Sequence, residues 1–308
     1  MTQTDPRRAL SRLVPVAGVL IGVAGIAFVA RTLVTRWDEV SDAFSGIDLT
    51  PLFASLAVGL LAMTLIGAVW VSLLQSRGHD APRARAMSWY YVGQLGKYVP
   101  GGIWPIVGRA ELAVRGGVTR PDAYKATAYS LVTTYSAAVV AVALGSFLSG
   151  MHIAVGAAMT AALLAAWFVL GSAGIGDRLS SLVARATGRS MSLPDRGQFV
   201  RLTAAHIPSW VCMSLSTSIT AHAFGARIGV FDMLFVTSLS WLAGFVVVGV
   251  PGGIGVRESI FTALAGGTVG TPLAVSLALV SRVVFIAVDL LGALVSSAVA
   301  AAARARQG

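Results

Sequence analysis

The sequence predicts an all-α polytopic membrane protein, an inverted repeat with two re-entrant broken-helix hairpins, and three observations predict it. Of 308 residues, 56% are hydrophobic and 12% charged, where soluble domains carry roughly 25% charge, and the mean hydropathy is +0.79. Apolar runs close to the roughly 20 residues that cross a bilayer as a helix recur along almost the whole chain. Within them Pro-Gly-Gly-Ile occurs twice, beginning at Pro100 and at Pro251, each time with an Arg and a Glu following.

The first run, 13–34, has the basic flank and apolar core of a signal peptide, but Arg31 and Arg36 at its end favour a retained first membrane helix. Further runs cover 51–74, 126–147, 153–170, 202–224, 230–250 and 272–302. They leave no interval for a soluble domain. The longest polar stretch, 174–201, holds the amphipathic DRLSSLVARATGR, which suits a membrane surface. Residues 1–308 therefore read as a single integral membrane domain. Cys212 is the only cysteine, and His79, His152, His206 and His222 are dispersed, so neither a disulfide nor a metal site is expected. No nucleotide-binding loop occurs and no cofactor is expected.

The net charge of +10 would suggest nucleic acid in a soluble protein; here its distribution sets orientation, and no nucleic-acid partner is expected. Arg7, Arg8 and Arg12 precede the first run and are assigned to the cytoplasm. RWDEVSDAFSGIDLT is acidic and belongs outside; QSRGHDAPRARA is basic and belongs inside. Arg109, Arg115, Arg120 and Lys125 mark a further inside region, and so do Arg178, Arg185, Arg189, Arg196 and Arg201 after the short SGMH turn. The C-terminal RARQG marks the last. The expected location is the bacterial cytoplasmic membrane, with both termini cytoplasmic.

Parity of these loops constrains the two motifs. The segment from Met87 to about Arg115 begins and ends inside, so its middle must enter the membrane and return. Pro100 disfavours a continuing helix and holds Val99 extended, and Gly101 and Gly102 permit backbone that bulkier residues resist. The segment 230–270 repeats this from the outer face around VPGGIG. Repeat one then covers about 51–149, a connecting helix and basic cytoplasmic loop cover 150–201, and repeat two covers about 202–303, in the inverted arrangement that many transporters use. The alternative is that 230–250 spans fully and PGGIGVRES is a surface turn; the duplication of the motif argues against it. Irregular backbone at membrane depth is tolerated only beside protein or a water-filled cavity. Each following half-helix should point free N–H groups and a positive dipole end into that cavity, a receptor for an anion such as phosphate.

GQLGKYVPGGIWPIVGRAELAVRGGV, VPGGIGVRESIFTAL and LVSRVVFIAVDLLGAL resemble the transmembrane region of lysylphosphatidylglycerol synthases and their stand-alone relatives. In bifunctional members this region resembles a lipid flippase domain joined to a soluble aminoacyltransferase domain. With no such domain here, the resemblance implies a shared fold and a role in moving polar lipids, and not the synthase activity. Gln94, Lys97, Pro100, Gly101, Gly102 and Arg109 match the first motif; Pro251, Gly252, Gly253, Gly255, Arg257 and Glu258 match the second; Arg282 matches the basic residue of the last helix. One departure is YSLVTTYSAAVV, neutral where family members carry an acidic and basic pair. Asp289, seven residues after Arg282 and so on the same helical face, is the candidate to compensate.

The candidate substrate-binding residues are Lys97, Gly101, Gly102, Arg109, Gly252, Gly253 and Arg257. The candidate gating or structural ion-pair residues are Glu111, Glu258, Arg282 and Asp289. Ionisable groups inside apolar runs face a bundle interior or a cavity, yet each has a plainer reading. Lys97 can snorkel to the interface, and Arg257 with Glu258 can be a half-helix end at the outer surface. Arg282 and Asp289 lie roughly 10 Å apart along a helix, so each should find another partner, either to clamp helices or to gate. Trp89, Tyr90, Tyr91, Tyr98 and Trp104 read as headgroup-level anchors, His206 as a structural or proton-relaying histidine, and Asp232 as a helix cap.

The leading functional expectation is a non-enzymatic lipid transporter of flippase or scramblase type. It would move an anionic phospholipid or a polyprenyl-phosphate-linked lipid, with membrane lipids bearing phosphate headgroups as partners. The alternatives are a scaffold for a glycosyltransferase or lipid synthase, and a membrane enzyme acting on lipid phosphate, for which no catalytic constellation emerges.

Overall fold

The computed structural model describes residues 30, 31, 34, 35, 37–79, 81–99, 103–171, 195–247 and 250–306. Most of the expected first helix 13–34, the amphipathic segment before residue 195, and Pro100, Gly101 and Gly102 lie outside the described residues. The described residues are α-helical with no strand. After α1 (Trp37–Ser45) come α2 (Thr50–Gln75), α3 (Arg83–Gln94), α4 (Trp104–Arg115), α5 (Arg120–Ser149), α6 (Ile153–Gly171), α7 (Arg196–Ala223), α8 (Val230–Val246), α9 (Val256–Val269) and α10 (Thr271–Ala305). The long apolar helices α2, α5, α6 and α10 each suffice to cross a membrane, so the protein is a multi-pass membrane protein.

Two hairpins are built differently. Helices α3 and α4 have 12 residues each, about 18 Å at 1.5 Å per residue, well short of the roughly 30 Å of hydrocarbon. They pack on each other with Gly93 against Arg109, so close that an added Cβ would lie 2.6 Å from the Arg109 Cβ. A 3₁₀ turn, Leu95–Tyr98, ends the first limb, and Val99 is extended with ψ 133°. In the second hairpin α8 stops at Val246 after 17 residues, short of the Pro251 motif. Gly252, Gly253 and Gly255 follow with φ of 56°, 68° and 81°, backbone that only glycine adopts without strain. Gly253 also lies where a Cβ would meet the Gly244 Cα at 2.8 Å. Asp232 sits in the first turn of α8, whose N-cap is Gly229; it is not the cap the sequence suggested, because the chain enters the helix three residues earlier.

The long helices hold the hairpins together. α2 and α7 are antiparallel, with the Asp48 N–H donating to the Ala223 carbonyl at 2.8 Å and the Ser55 hydroxyl donating to the Ser216 carbonyl at 2.8 Å. Ser216 returns a bond to the Ser55 carbonyl at 2.9 Å, and Gly59 lets Val288 and Ser216 approach this crossing. Small residues that admit close backbone contact are the usual means of packing helices where lipid removes the hydrophobic drive. Each hairpin docks on the long helix that closes the other half of the chain. α3 packs on α10, with Tyr91 over Gly292, and α8 packs on α5, where Gly145 receives the backbone of Phe235. The two breaks then touch: a Cβ on Gly252 would lie 3.5 Å from the Lys97 carbonyl. α6 lies outside this body against α5 and leaves most of its apolar surface exposed, as a lipid-facing helix would.

Candidate functional site

Between the two hairpins and the long helices lies a cavity of about 390 Å³. Its wall includes Gln94, Lys97, Tyr98, Arg109, Gly252, Gly253, Arg257 and Arg282, residues of both motifs and of the last helix. The rest is largely aromatic and aliphatic, including Tyr90, Tyr135, Trp210, Trp241 and Phe285. Four cations therefore surround one small apolar space.

They are not equivalent. The Lys97 ammonium is 2.6 Å from the Asp289 carboxylate, whose same oxygen accepts the Tyr98 hydroxyl at 2.5 Å. Asp289 is fully buried while Lys97 keeps 18% exposure, so the pair sits at the cavity wall with its cation side open. Arg282 pairs with Glu258 and donates to the Gly252 carbonyl at 3.5 Å. Arg282 and Asp289 of α10 thus take partners on opposite hairpins and not each other. A charge removed from water is stable only when paired and hydrogen-bonded, and these two carboxylates neutralise two of the four cations.

Among the described residues Arg109 and Arg257 have no such partner. Arg109 is 4% exposed and Arg257 8%, and among the described residues no carboxylate lies within ion-pairing distance of either. Arg109 donates to the Thr127 carbonyl at 3.3 Å, its Nε has no partner among the described residues, and Trp70 and Tyr90 lie 5.9 and 5.8 Å from its guanidinium. Arg257 stacks on Trp241 at 3.8 Å, with Phe285 at 5.6 Å. Ring faces attract the guanidinium face and leave its in-plane N–H fork free, which is the geometry that grips a phosphate in bidentate fashion.

Several expectations change. Arg257 and Glu258 are buried and do not form an outer-surface helix end. The positive end of α9 is not free: Glu258 accepts the Gly255 N–H at 2.7 Å. The N-terminus of α4 has no side-chain cap, so the two half-helices differ as anion receptors. Gly252 and Gly253 line the cavity, but their left-handed backbone and close contacts give them a structural reason as well. Glu111 turns away from the cavity to Arg120, at 2.8 and 3.0 Å, and to the Tyr124 hydroxyl at 2.6 Å. Tyr90 and Tyr98 face the cavity, whereas Trp104 is exposed and Trp89 and Tyr91 pack in the core. His206 bonds the Leu202 carbonyl through Nδ1 at 2.8 Å and does not line the cavity. Trp241 was the residue sequence reasoning missed. Its signal was positional, since it stands ten residues before Pro251 as Tyr90 stands ten before Pro100, and each aromatic lies against an arginine.

The family described as the lysylphosphatidylglycerol synthase TM region matches residues 16–292, a range that contains every charged residue of this cavity. No curated protein matches the chain.

Proposed function

The chain belongs to the family of the lysylphosphatidylglycerol synthase TM region, and from that premise and the cavity we propose a lipid transporter of flippase or scramblase type. In this reading the phosphate of an anionic phospholipid or polyprenyl-phosphate-linked lipid enters the cavity while its tails stay in the bilayer. The observation that carries it is the pair of buried arginines, Arg109 and Arg257, facing one cavity without a carboxylate partner among the described residues.

The architecture supports the reading. The two hairpins are helices broken at related motifs, each docked on the closing helix of the other half, with antiparallel α2 and α7 between them. We read this as an inverted repeat whose breaks lie at membrane depth, where the site stays fixed while one half rocks against the other. The bacterial cytoplasmic membrane, cytoplasmic termini, a non-enzymatic role, and a lipid synthase or glycosyltransferase that supplies the substrate belong to the same proposal.

The test is reconstitution in liposomes containing a tail-labelled fluorescent phosphatidylglycerol, with the outer-leaflet pool bleached by a membrane-impermeant reductant. Wild-type protein should expose the inner pool, and Arg109→Gln and Arg257→Gln proteins that remain monodisperse should do so at least about ten-fold more slowly, as expected when a buried charge contact to the headgroup is lost. Equal rates for wild type and both variants would remove the site from the mechanism.

A further inference from the structure

Resting on that reading of the cavity, we infer that its preferred ligand is a dianionic phosphate headgroup, a phosphate monoester or a diphosphate, and not a singly charged phosphodiester or a zwitterion.

The argument is a charge balance. The Lys97–Asp289 and Arg282–Glu258 pairs are each neutral. Arg109 and Arg257 remain, and an arginine keeps its proton at any physiological pH. Pro100, Gly101, Gly102, Val248 and Gly249, which border the described wall in sequence, carry no ionisable side chain. Among the described residues the wall therefore holds two uncompensated positive charges inside an apolar protein body, and ionic groups in such surroundings are stable only when compensated. One monoanion leaves one charge unmatched; one dianion matches both.

Geometry agrees with the count. The two guanidinium groups come from different hairpins, Arg109 from α4 and Arg257 from α9, so a ligand bridging them needs charge on more than one side. A phosphate monoester above its second ionisation, near pKa about 6, spreads two charges over three terminal oxygens, and a diphosphate puts charge on both phosphorus centres. A phosphodiester has only two non-bridging oxygens and one charge. The headgroup of a zwitterion adds an ammonium to a wall that already has an excess of cations. Stacking of Arg257 on Trp241 fixes the plane of its fork, so the second charge meets a donor set already in place.

Binding and transport are read separately at pH 8 on the full chain. Binding is followed by tryptophan fluorescence in detergent with dioctanoyl phosphatidic acid, dioctanoyl phosphatidylglycerol, dioctanoyl phosphatidylcholine and inorganic phosphate as probes. Phosphatidic acid should bind at least about ten-fold tighter than phosphatidylglycerol, the modest end of what one further close charge contributes, and phosphatidylcholine should not saturate. In Arg257→Gln protein the preference should fall toward parity, and Arg257→Lys protein should retain part of it. Equal affinities for phosphatidic acid and phosphatidylglycerol in the wild type overturn the inference even if both lipids cross the membrane. A clear preference without any movement of fluorescent phosphatidic acid in liposomes upholds the dianion site and sinks the transport reading. Inorganic phosphate binding as tightly as phosphatidic acid upholds the dianion but assigns it to a free anion and not to a lipid.

Discussion

The Lys97–Asp289 contact gives a test in which the order of the effects matters more than their size. At 2.6 Å two unit charges attract by ~6 kcal/mol at an effective dielectric of 20, while burying them costs several kcal/mol per ion, so the intact pair is close to neutral in stability. Removing one partner is different, because it strands the other at about 3–5 kcal/mol. The structure makes the two removals unequal. Asp289→Asn leaves Lys97, 18% exposed and facing a cavity that can admit water, so its cost falls at or below ~3 kcal/mol. Lys97→Met leaves the fully buried Asp289 with only the Tyr98 hydroxyl among the described residues, and its cost approaches ~5 kcal/mol.

The assay is thermal unfolding of the purified chain in one detergent, read by loss of the monodisperse elution peak. By the scale that fits soluble domains of this size, about 2 °C per kcal/mol, Lys97→Met should lower the midpoint by ~10 °C and Asp289→Asn by ~6 °C or less. The double variant should return to within a few degrees of wild type, since neither charge is then stranded. If the double variant falls as far as the sum of the single ones, or if Asp289→Asn is the worse single change, the pair is not coupled as the geometry requires.

Close glycine contacts predict a contrast between related positions. Gly93→Ala drives a Cβ to 2.6 Å from Arg109 and should cost about 1–3 kcal/mol as overpacking. Gly244→Ala meets neighbours no closer than 3.3 Å and should cost less than about 1 kcal/mol; equal melting shifts would contradict the difference in limb spacing between the two hairpins. Glu258→Ala removes both the Arg282 partner and the acceptor for the Gly255 N–H, so it should destabilise more than Glu258→Gln, which keeps an acceptor. In a Cys212→Ser background, Ser55→Cys with Ser216→Cys should cross-link under mild oxidation, because the two hydroxyl oxygens are 3.0 Å apart; no cross-link, read as no gel shift, would contradict the antiparallel crossing of α2 and α7.

The long apolar helices and the hairpin breaks were legible in the sequence because both are local effects, whereas α1 fell in a stretch read as an acidic connection. Apolar run length marks α2, α5, α6 and α10, and a Pro-Gly-Gly run cannot continue a helix wherever it falls. Partner choice was not legible, since it depends on which helices pack. Arg282 and Asp289 stand on one face of α10, yet Asp289 meets Tyr98, 191 residues away, and Arg282 meets Glu258. Only the docking of α3 and α9 on either side of α10 decides that. One signal was present but needed a longer reading of the repeat. Counting back from each Pro aligns Gly93 with Gly244 and Tyr90 with Trp241, the glycines that let the limbs close and the aromatics that lie against the arginines.

That alignment also shows where the symmetry of the motifs stops, and the site follows from the break in it. A purely duplicated hairpin would offer two equivalent helix ends to an anion, each worth at most ~2 kcal/mol and falling off within a turn. Glu258 removes one of them by taking the Gly255 N–H, and Arg282 in turn neutralises Glu258. Recognition built on helix ends would then be lopsided and weak. The arginines do not share this weakness, because Arg109 and Arg257 both reach the cavity and neither spends its charge on a carboxylate of the described residues. The proposed selectivity of the cavity therefore rests on two side chains. Replacements that keep every helix end intact, such as Arg257→Gln, should abolish it, whereas Glu258→Gln, which weakens the hold on Arg282 but spares both arginines, should leave the order of ligand affinities unchanged.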